Sequence, residues 1–260
     1  MSYETLTFET KEKIAYITLN RPDRLNSFDM KLGEELYKVL HEISKKNEII
    51  AVVIRGTGKG FCGGGDVKEM YAAKDKPKFL RELTKTIHKC VIEIRSMEKP
   101  VIAQVNGAAF GAGLSLALAC DIIIASKDAK MNTAFITIGL APGCGTQFVT
   151  SLVGYHKACE LLLTAKTFSA EEAHSMGIVN MIVDSEKLDD AVESYASKFK
   201  ELPPIAVGKA KMLINKSMDN SMLDHLELES KTASMSAGTD DFKEGVTAFV
   251  EKRKPVFKGR

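Results

Sequence analysis

The stretch Gly60-Phe61-Cys62-Gly63-Gly64-Gly65-Asp66-Val67, preceded by Gly58-Lys59, follows a short apolar run at 49–54. A second stretch of the same kind, Asn106-Gly107-Ala108-Ala109-Phe110-Gly111-Ala112-Gly113, follows the apolar run 101–105 and opens a helical pattern at 114–119. Short continuous apolar runs bounded by glycine read as strands buried on both faces. Glycine lets the backbone take positive φ and approach a ligand closely. A helix N-terminus adds unpaired N–H groups at the positive end of its dipole. Two such loops that meet can aim two backbone N–H donors at one oxygen, forming an oxyanion hole. Taken singly, either loop reads more simply as a tight turn feeding a buried element. Neither is a phosphate loop: GxxxxGK(S/T) is absent, and a dinucleotide GxGxxG opening a helix is not matched cleanly.

Outward from these loops the pattern alternates. Residues 5–10 and 13–19 are β-rich and broken by Lys11-Glu12, which predicts a hairpin. Asn20-Arg21-Pro22-Asp23 is a turn, and residues 31–43 carry apolar side chains at helical spacing (Leu32, Leu36, Val39, Leu40, Ile43). A long helix is expected over 76–97, closed by Lys99-Pro100, then a strand at 121–125, a helix at 156–163 and a strand at 178–183. Strands alternating with helices predict an α/β fold with parallel strands. From Leu188 onward no strand pattern occurs, only amphipathic helices near 209–218, 222–235 and 240–252. The expected division is a core over 1–200 and a helical region over 201–260, with Pro203-Pro204 near the joint.

Bulk properties narrow the function classes. The 260 residues suit one large domain, or one with a small appendage, and 45% hydrophobic with 27% charged residues is globular composition. A net charge of +2 with interleaved signs lacks the basic stripe of a nucleic-acid binder. Five unclustered cysteines (Cys62, Cys90, Cys120, Cys144, Cys159) without CxxC favour reduced thiols over disulfides or zinc. The N-terminus carries no basic-then-apolar leader, no apolar run approaches a membrane span, and Lys258-Gly259-Arg260 is not a peroxisomal tripeptide. The expected location is therefore the cytoplasm. His41, His88, His156, His174 and His225 show no metal-ligand spacing, and Cys144 has no sequence neighbour that would mark a thiolate nucleophile.

Taken together, the segments resemble the crotonase (enoyl-CoA hydratase/isomerase) superfamily along the whole chain. The matching stretches are Asn20-Arg21-Pro22 with Leu25-Asn26, the two glycine loops with Lys68-Glu69-Met70, and Lys99-Pro100-Val101-Ile102-Ala103. Ala119-Cys120-Asp121-Ile122, Ile138-Gly139-Leu140 with Pro142, and Glu244-Gly245 through Phe249-Val250-Glu251-Lys252-Arg253-Lys254-Pro255 complete the set. Their order and spacing make the match specific.

The resemblance implies a spiral of ββα units and a helical C-terminal region that helps build trimers or hexamers. It implies a CoA thioester as substrate, from CoA or an acyl carrier, and no permanently bound cofactor. Carried over by position, the oxyanion donors are the N–H groups of Gly65 and Ala112. Cys62, Gly63, Asp66, Val67 and Lys68 would line the CoA path, with Arg24 and Leu25 nearby and Phe249 and Lys252 reaching it from the tail helix. Arg24, Lys68 and Lys252 can offset CoA phosphates. Asp121 is taken as structural.

The departure is in the acids. Where family hydratases carry two glutamates, this chain has Ser115 and Phe135. Where some isomerases place theirs, just past the loop proline, it has Gly143. A positioned general acid or base is worth roughly 10²–10⁴ in rate, so efficient hydration is not expected unless Asp66 or Glu69 fills the role. The loop 139–145 resembles that of decarboxylating members, which need an oxyanion hole but no carbon base. Asn132, Thr133, Ser115 and Thr137 are candidate hydrogen-bond donors there. The rival readings are decarboxylation of a malonyl- or glutaconyl-type thioester and a non-catalytic acyl-CoA-binding module.

Overall fold

The computed structural model describes residues 3–260. The chain opens with the antiparallel hairpin β1 (Leu6–Lys11) and β2 (Ile14–Leu19), whose turn holds Glu12 and Lys13 at φ 48° and 69°. Then follow α1 (Met30–Ser44), β3 (Ala51–Gly56), β4 (Gly60–Cys62), α2 (Val67–Ala72) and α3 (Lys76–Ser96). The next turn is β5 (Val101–Val105), β6 (Ala108–Phe110) and α4 (Ala112–Ala119), and the third begins with β7 (Ile122–Ser126) and β8 (Lys130–Asn132). After these come α5 (Thr146–Val153), α6 (Tyr155–Thr164), β9 (Phe168–Ser169), α7 (Ala170–Ser175), β10 (Met181–Val183) and α8 (Leu188–Ser197). The chain finishes with α9 (Pro204–Lys216), α10 (Met222–Ala237) and α11 (Asp240–Glu251).

Two sheets result, ordered β1-β2-β3-β5-β7-β10 and β4-β6-β8-β9. All neighbours in the large sheet after the hairpin are parallel, as are β4–β6 and β6–β8. Each repeat therefore sends one strand into the large sheet and the next into the small one. The first two pass through corners that contain glycine (Gly56 to Gly60 and Gly107) and the third through Lys127-Asp128-Ala129. That is the ββα spiral. The small sheet was not legible in the sequence, and the second glycine stretch does not pass straight from strand to helix, because β6 intervenes. Its strands are two or three residues long, too short to display a period. Gly107 marks such a corner: a Cβ there would sit 2.1 Å from the Lys59 carbonyl oxygen.

The inner strands β2, β3, β5 and β7 are covered on both faces and so are mostly apolar without alternation, whereas the edge strand β1 is largely exposed. Leu32, Leu36, Leu40 and Ile43 of α1 pack with Leu83, Ile87, Cys90 and Ile94 of α3 in the main core. On the opposite face Ile14, Val53, Ile102 and Ile124 meet Leu188, Val192 and Ala196 of α8. Helix α8 is a correction to the sequence reading, which placed no element over these residues. Truncating one of these leucines to alanine costs about 2–5 kcal/mol.

Helix α9 is fastened to the core by a buried lysine. Lys211 Nζ lies 2.7 Å from Asp121 Oδ2 and donates to the carbonyls of Ile94 (2.7 Å) and Lys99 (2.9 Å). Asp121 also accepts from the Val101 N–H at 2.7 Å, which makes the aspartate a structural hub. Beyond α9, helices α10 and α11 leave Met222, Leu223, Leu226, Val246, Phe249 and Val250 largely exposed. No helix among the described residues is long and apolar enough to cross a membrane.

Candidate active site

The first glycine loop is shaped from beneath by Asn26. Its Nδ2 donates to Thr57 and Gly60 carbonyls, both at 2.9 Å, and its Oδ1 accepts from the Arg21 N–H at 2.8 Å. Leu25 and Asn26 are both left-handed (φ 49° and 56°), a turn the short polar Asn side chain tolerates well. Farther on, the Phe28 N–H donates to the Gly64 carbonyl (2.7 Å) and the Asp66 N–H to the Phe28 carbonyl (2.8 Å). Strand alternation then points the intervening Gly65 N–H the other way.

The second loop approaches from that other side. Gly111 N–H donates to the Asn132 carbonyl at 2.8 Å, and Ala112 is the first residue of α4, so its own N–H has no intrahelical acceptor. Neither Gly65 N–H nor Ala112 N–H donates to a protein acceptor among the described residues. Gly64, at φ 102°, allows the contact between the loops: a Cβ there would come 2.9 Å from the Phe110 carbonyl oxygen and 3.6 Å from the Ala112 nitrogen.

Gly65 and Ala112 border a cavity of about 250 Å³. Its walls are Val67 and Met70 of α2, Leu80, Leu83, Thr84 and Ile87 of α3, Phe110, and the segment from Ala134 to Cys144. Among the described residues no Asp, Glu, Lys, Arg or His lines it. The hydroxyl of Thr84 is bonded to the Leu80 carbonyl and that of Thr137 to the Ala134 carbonyl. Cys144 is, among the described residues, the one titratable side chain on the wall, and burial raises its thiol. Among the described residues no group of three or more His, Cys, Asp or Glu can hold a metal ion.

A family model described as enoyl-CoA hydratase/isomerase matches residues 9–260. The chain belongs to the enoyl-CoA hydratase/isomerase family. It is 34% identical over 260 residues to the 1,2-epoxyphenylacetyl-CoA isomerase of Escherichia coli K12, covering 99% of each chain. It is 35% identical to the short-chain-enoyl-CoA hydratase of Clostridium acetobutylicum, over 98% of this chain and 97% of that one. The crystal structure of enoyl-CoA hydratase from Bacillus anthracis superposes with a TM-score of 0.94 at 32% identity, covering 99% of this chain and 100% of that one.

Within this enoyl-CoA hydratase/isomerase family chain, Ser115 stands on α4, buried, with Oγ 3.1 Å from the Gly111 carbonyl and 3.0 Å from the Cys144 carbonyl. Phe135 begins a 3-10 turn (Phe135–Ile138) entered through Ala134 at φ 52°, and lines the cavity beside Gly111. Gly143 also lines it. Its carbonyl is bonded by His88 Nε2 at 2.7 Å, and its missing side chain would meet Thr84 Cγ2 at 3.3 Å.

Neither Asp66 nor Glu69 lines the cavity. Asp66 caps α2 through the Lys68 and Glu69 N–H groups and pairs with Arg21 at 3.1 Å. Burial and the carboxylates of Asp29 and Asp66 raise the Glu69 carboxyl, with Arg21 opposing them. Asn132 and Thr133 are likewise spent on structure, on Ala165 and Thr167 and on the Leu161 carbonyl.

Of the residues expected along the CoA path, Gly63 and Val67 reach the cavity. Arg24, Leu25 and Lys68 are exposed near it, with the Gly63 N–H bonded to the Leu25 carbonyl at 2.8 Å. Cys62 is fully buried, its thiol pushed up to about 12 by that burial, so it cannot face a ligand. Phe249 and Lys252 stand on or just after α11 and do not line the cavity; Phe249 is 86% exposed beside Phe242 and Phe257. The α3 wall was missed because its apolar stripe reads equally as core. No sequence signal separates a side chain that fills a core from one that lines a cavity.

Proposed function

We propose that this enzyme binds an acyl-CoA thioester with the carbonyl oxygen between the N–H groups of Gly65 and Ala112, and stabilises the enolate formed there. The supporting observation is the pairing of two unengaged N–H donors with a cavity that holds no ionisable side chain except a thiol raised by burial. Preorganised donors of this kind are each worth about 10²–10³ in rate. Water addition to an enoyl thioester needs a base for water and an acid for Cα, and neither is present on the walls. Efficient hydration is therefore not the proposed reaction.

Decarboxylation matches what the site offers. In a malonyl-type thioester the bond from Cα to the carboxylate breaks, its electron pair enters the enolate, and carbon dioxide leaves. Water then delivers the proton to Cα. The apolar wall favours neutral carbon dioxide over the carboxylate it comes from, and the developing charge falls on the thioester oxygen. A binding module without turnover is the second reading. It is favoured by the closure of the Cys144-Gly145 segment onto Ser115, which fills the place of a hydratase acid.

The test is a panel of thioesters assayed with purified protein. Carbon dioxide release from malonyl-, methylmalonyl- or glutaconyl-CoA well above the buffer rate, with negligible hydration of crotonyl-CoA, is the expected result. Brisk crotonyl-CoA hydration would overturn the proposal, while tight binding without turnover would select the second reading. The exposed apolar rows of α10 and α11 support assembly as a homotrimer or hexamer.

A further inference from the structure

We infer that Arg21 is a positioning residue that sets the direction of the Gly65 N–H. The inference rests on the reading of that N–H as an oxyanion donor. Arg21 follows Asn20 in the turn after β2, and its backbone is pinned by Asn26, through Oδ1 to the Arg21 N–H and the Asn26 N–H to the Arg21 carbonyl. Its guanidinium reaches under the first glycine loop, 16% exposed.

There it makes three contacts. One Nη donates to the Ser27 carbonyl, and the other lies 2.9 Å from Asp29 Oδ2 and 3.1 Å from Asp66 Oδ2. Ser27 and Asp29 flank Phe28, while Asp66 follows Gly65, and Phe28 and Gly65 form an isolated parallel bridge that ties down the end of the loop. The guanidinium thus grips the residues on both sides of that bridge.

The second oxygen of each carboxylate is committed elsewhere, Asp29 Oδ1 to the Leu32 N–H that opens α1 and Asp66 Oδ1 to the N–H groups that open α2. Rotation about the bridge would turn the Gly65 N–H away from the oxygen it shares with Ala112. That rotation would also break the caps of two helices. A planar fork can hold both carboxylates and the carbonyl at once, whereas a lysine ammonium is a compact point charge on a flexible stem.

The test uses 2,4-hexadienoyl-CoA, whose conjugated thioester absorbs at longer wavelength when its carbonyl is polarised by hydrogen bonds. The wild-type protein should bind it with a red shift. Arg21→Lys should leave the dissociation constant near the wild-type value and cut the shift by more than half. Arg21→Gly should lose it, with recovery in millimolar guanidinium but not methylammonium. An undiminished shift in Arg21→Lys overturns the inference, as does a loss of affinity and shift in equal proportion, which marks a merely structural arginine. Should Arg21→Gly not fold, the lysine variant alone decides. Binding by the wild type without any red shift overturns the oxyanion reading itself, and the inference with it.

Discussion

Ser115 Oγ lies 3.0 Å from the carbonyl oxygen of Cys144, and this contact closes the segment after Pro142 against the first turn of α4. Gly145, at φ 88°, completes the closure, since a Cβ on it would stand 2.5 Å from that hydroxyl. The position that the resemblance aligns with a hydratase acid is therefore occupied by the chain itself.

Restoring glutamate should consequently fail to restore hydration. Ser115→Glu must push the Cys144-Gly145 segment outward, and overpacking of this kind costs about 1–3 kcal/mol. The expected outcome for Ser115→Glu, alone or with Phe135→Glu, is a lowered melting temperature and no crotonyl-CoA hydration above wild type. A rise in hydration rate with unchanged melting temperature would show that the segment yields freely.

Ala112→Pro removes one proposed donor at little structural cost. Ala112 is the first residue of α4, where proline is well tolerated, and Gly111 before it has no Cβ to clash. Turnover should fall roughly 10²–10³-fold with thioester affinity nearly kept. Measuring kcat and Kd separately checks this, and an unchanged kcat would remove Ala112 from the mechanism.

Lys211 sets a stability dependence at alkaline pH. Burial lowers its pKa from the ordinary 10.5, with the ion pair to Asp121 opposing the shift. In the window between that lowered value and 10.5 the unfolded chain binds more protons than the folded one, so this group's contribution to stability rises with pH there. The thiols of Cys62, Cys90, Cys120 and Cys144, raised by burial, pull the total slope the other way over the same range. The check is therefore a difference: urea midpoints of the wild type should change with pH more positively than those of Lys211→Met. Lys211→Ala should also cost about 3–5 kcal/mol by leaving Asp121 partly buried without its cation.

Assembly is testable at Leu226, 54% exposed on α10. Light scattering should give a trimer or hexamer for the wild type, and Leu226→Glu should shift it toward smaller species. A wild-type monomer at micromolar concentration would remove the proposal.

Much of this was legible in the sequence because it is written in patterns longer than a turn. The runs 51–54 and 101–105 are buried on both faces, and the stripe of α1 faces the core, so period and length alone identify them. Asn20-Arg21-Pro22 and Leu25-Asn26 were visible as motifs, but the work of Arg21 and Asn26 was not, since their partners lie as far as 45 residues away. Lys211 stayed hidden for the same reason, as a lysine on an amphipathic helix reads as surface until Asp121 is seen beneath it. The acyl wall from α3 escaped because apolar spacing cannot say whether the space it faces is filled. The tail residues Phe249 and Lys252 were joined to the site by resemblance alone, and within one chain they stand apart from it.

The pairing of β4 with β6 has a consequence for how this family tolerates change. Both proposed donors lie just past the carboxyl ends of these adjacent parallel strands, Gly65 three residues after Cys62 and Ala112 two residues after Phe110. Their approach is therefore set first by the pairing of neighbouring strands, about 4.8 Å apart in any sheet, with Arg21 and Asn26 holding the first loop against it. A gauge made of backbone cannot be retuned by substitution at 115, 135 or 143. Substitutions there leave the two proposed donors in place, so on this reading the grip on a thioester oxygen does not depend on which side chains stand at those positions.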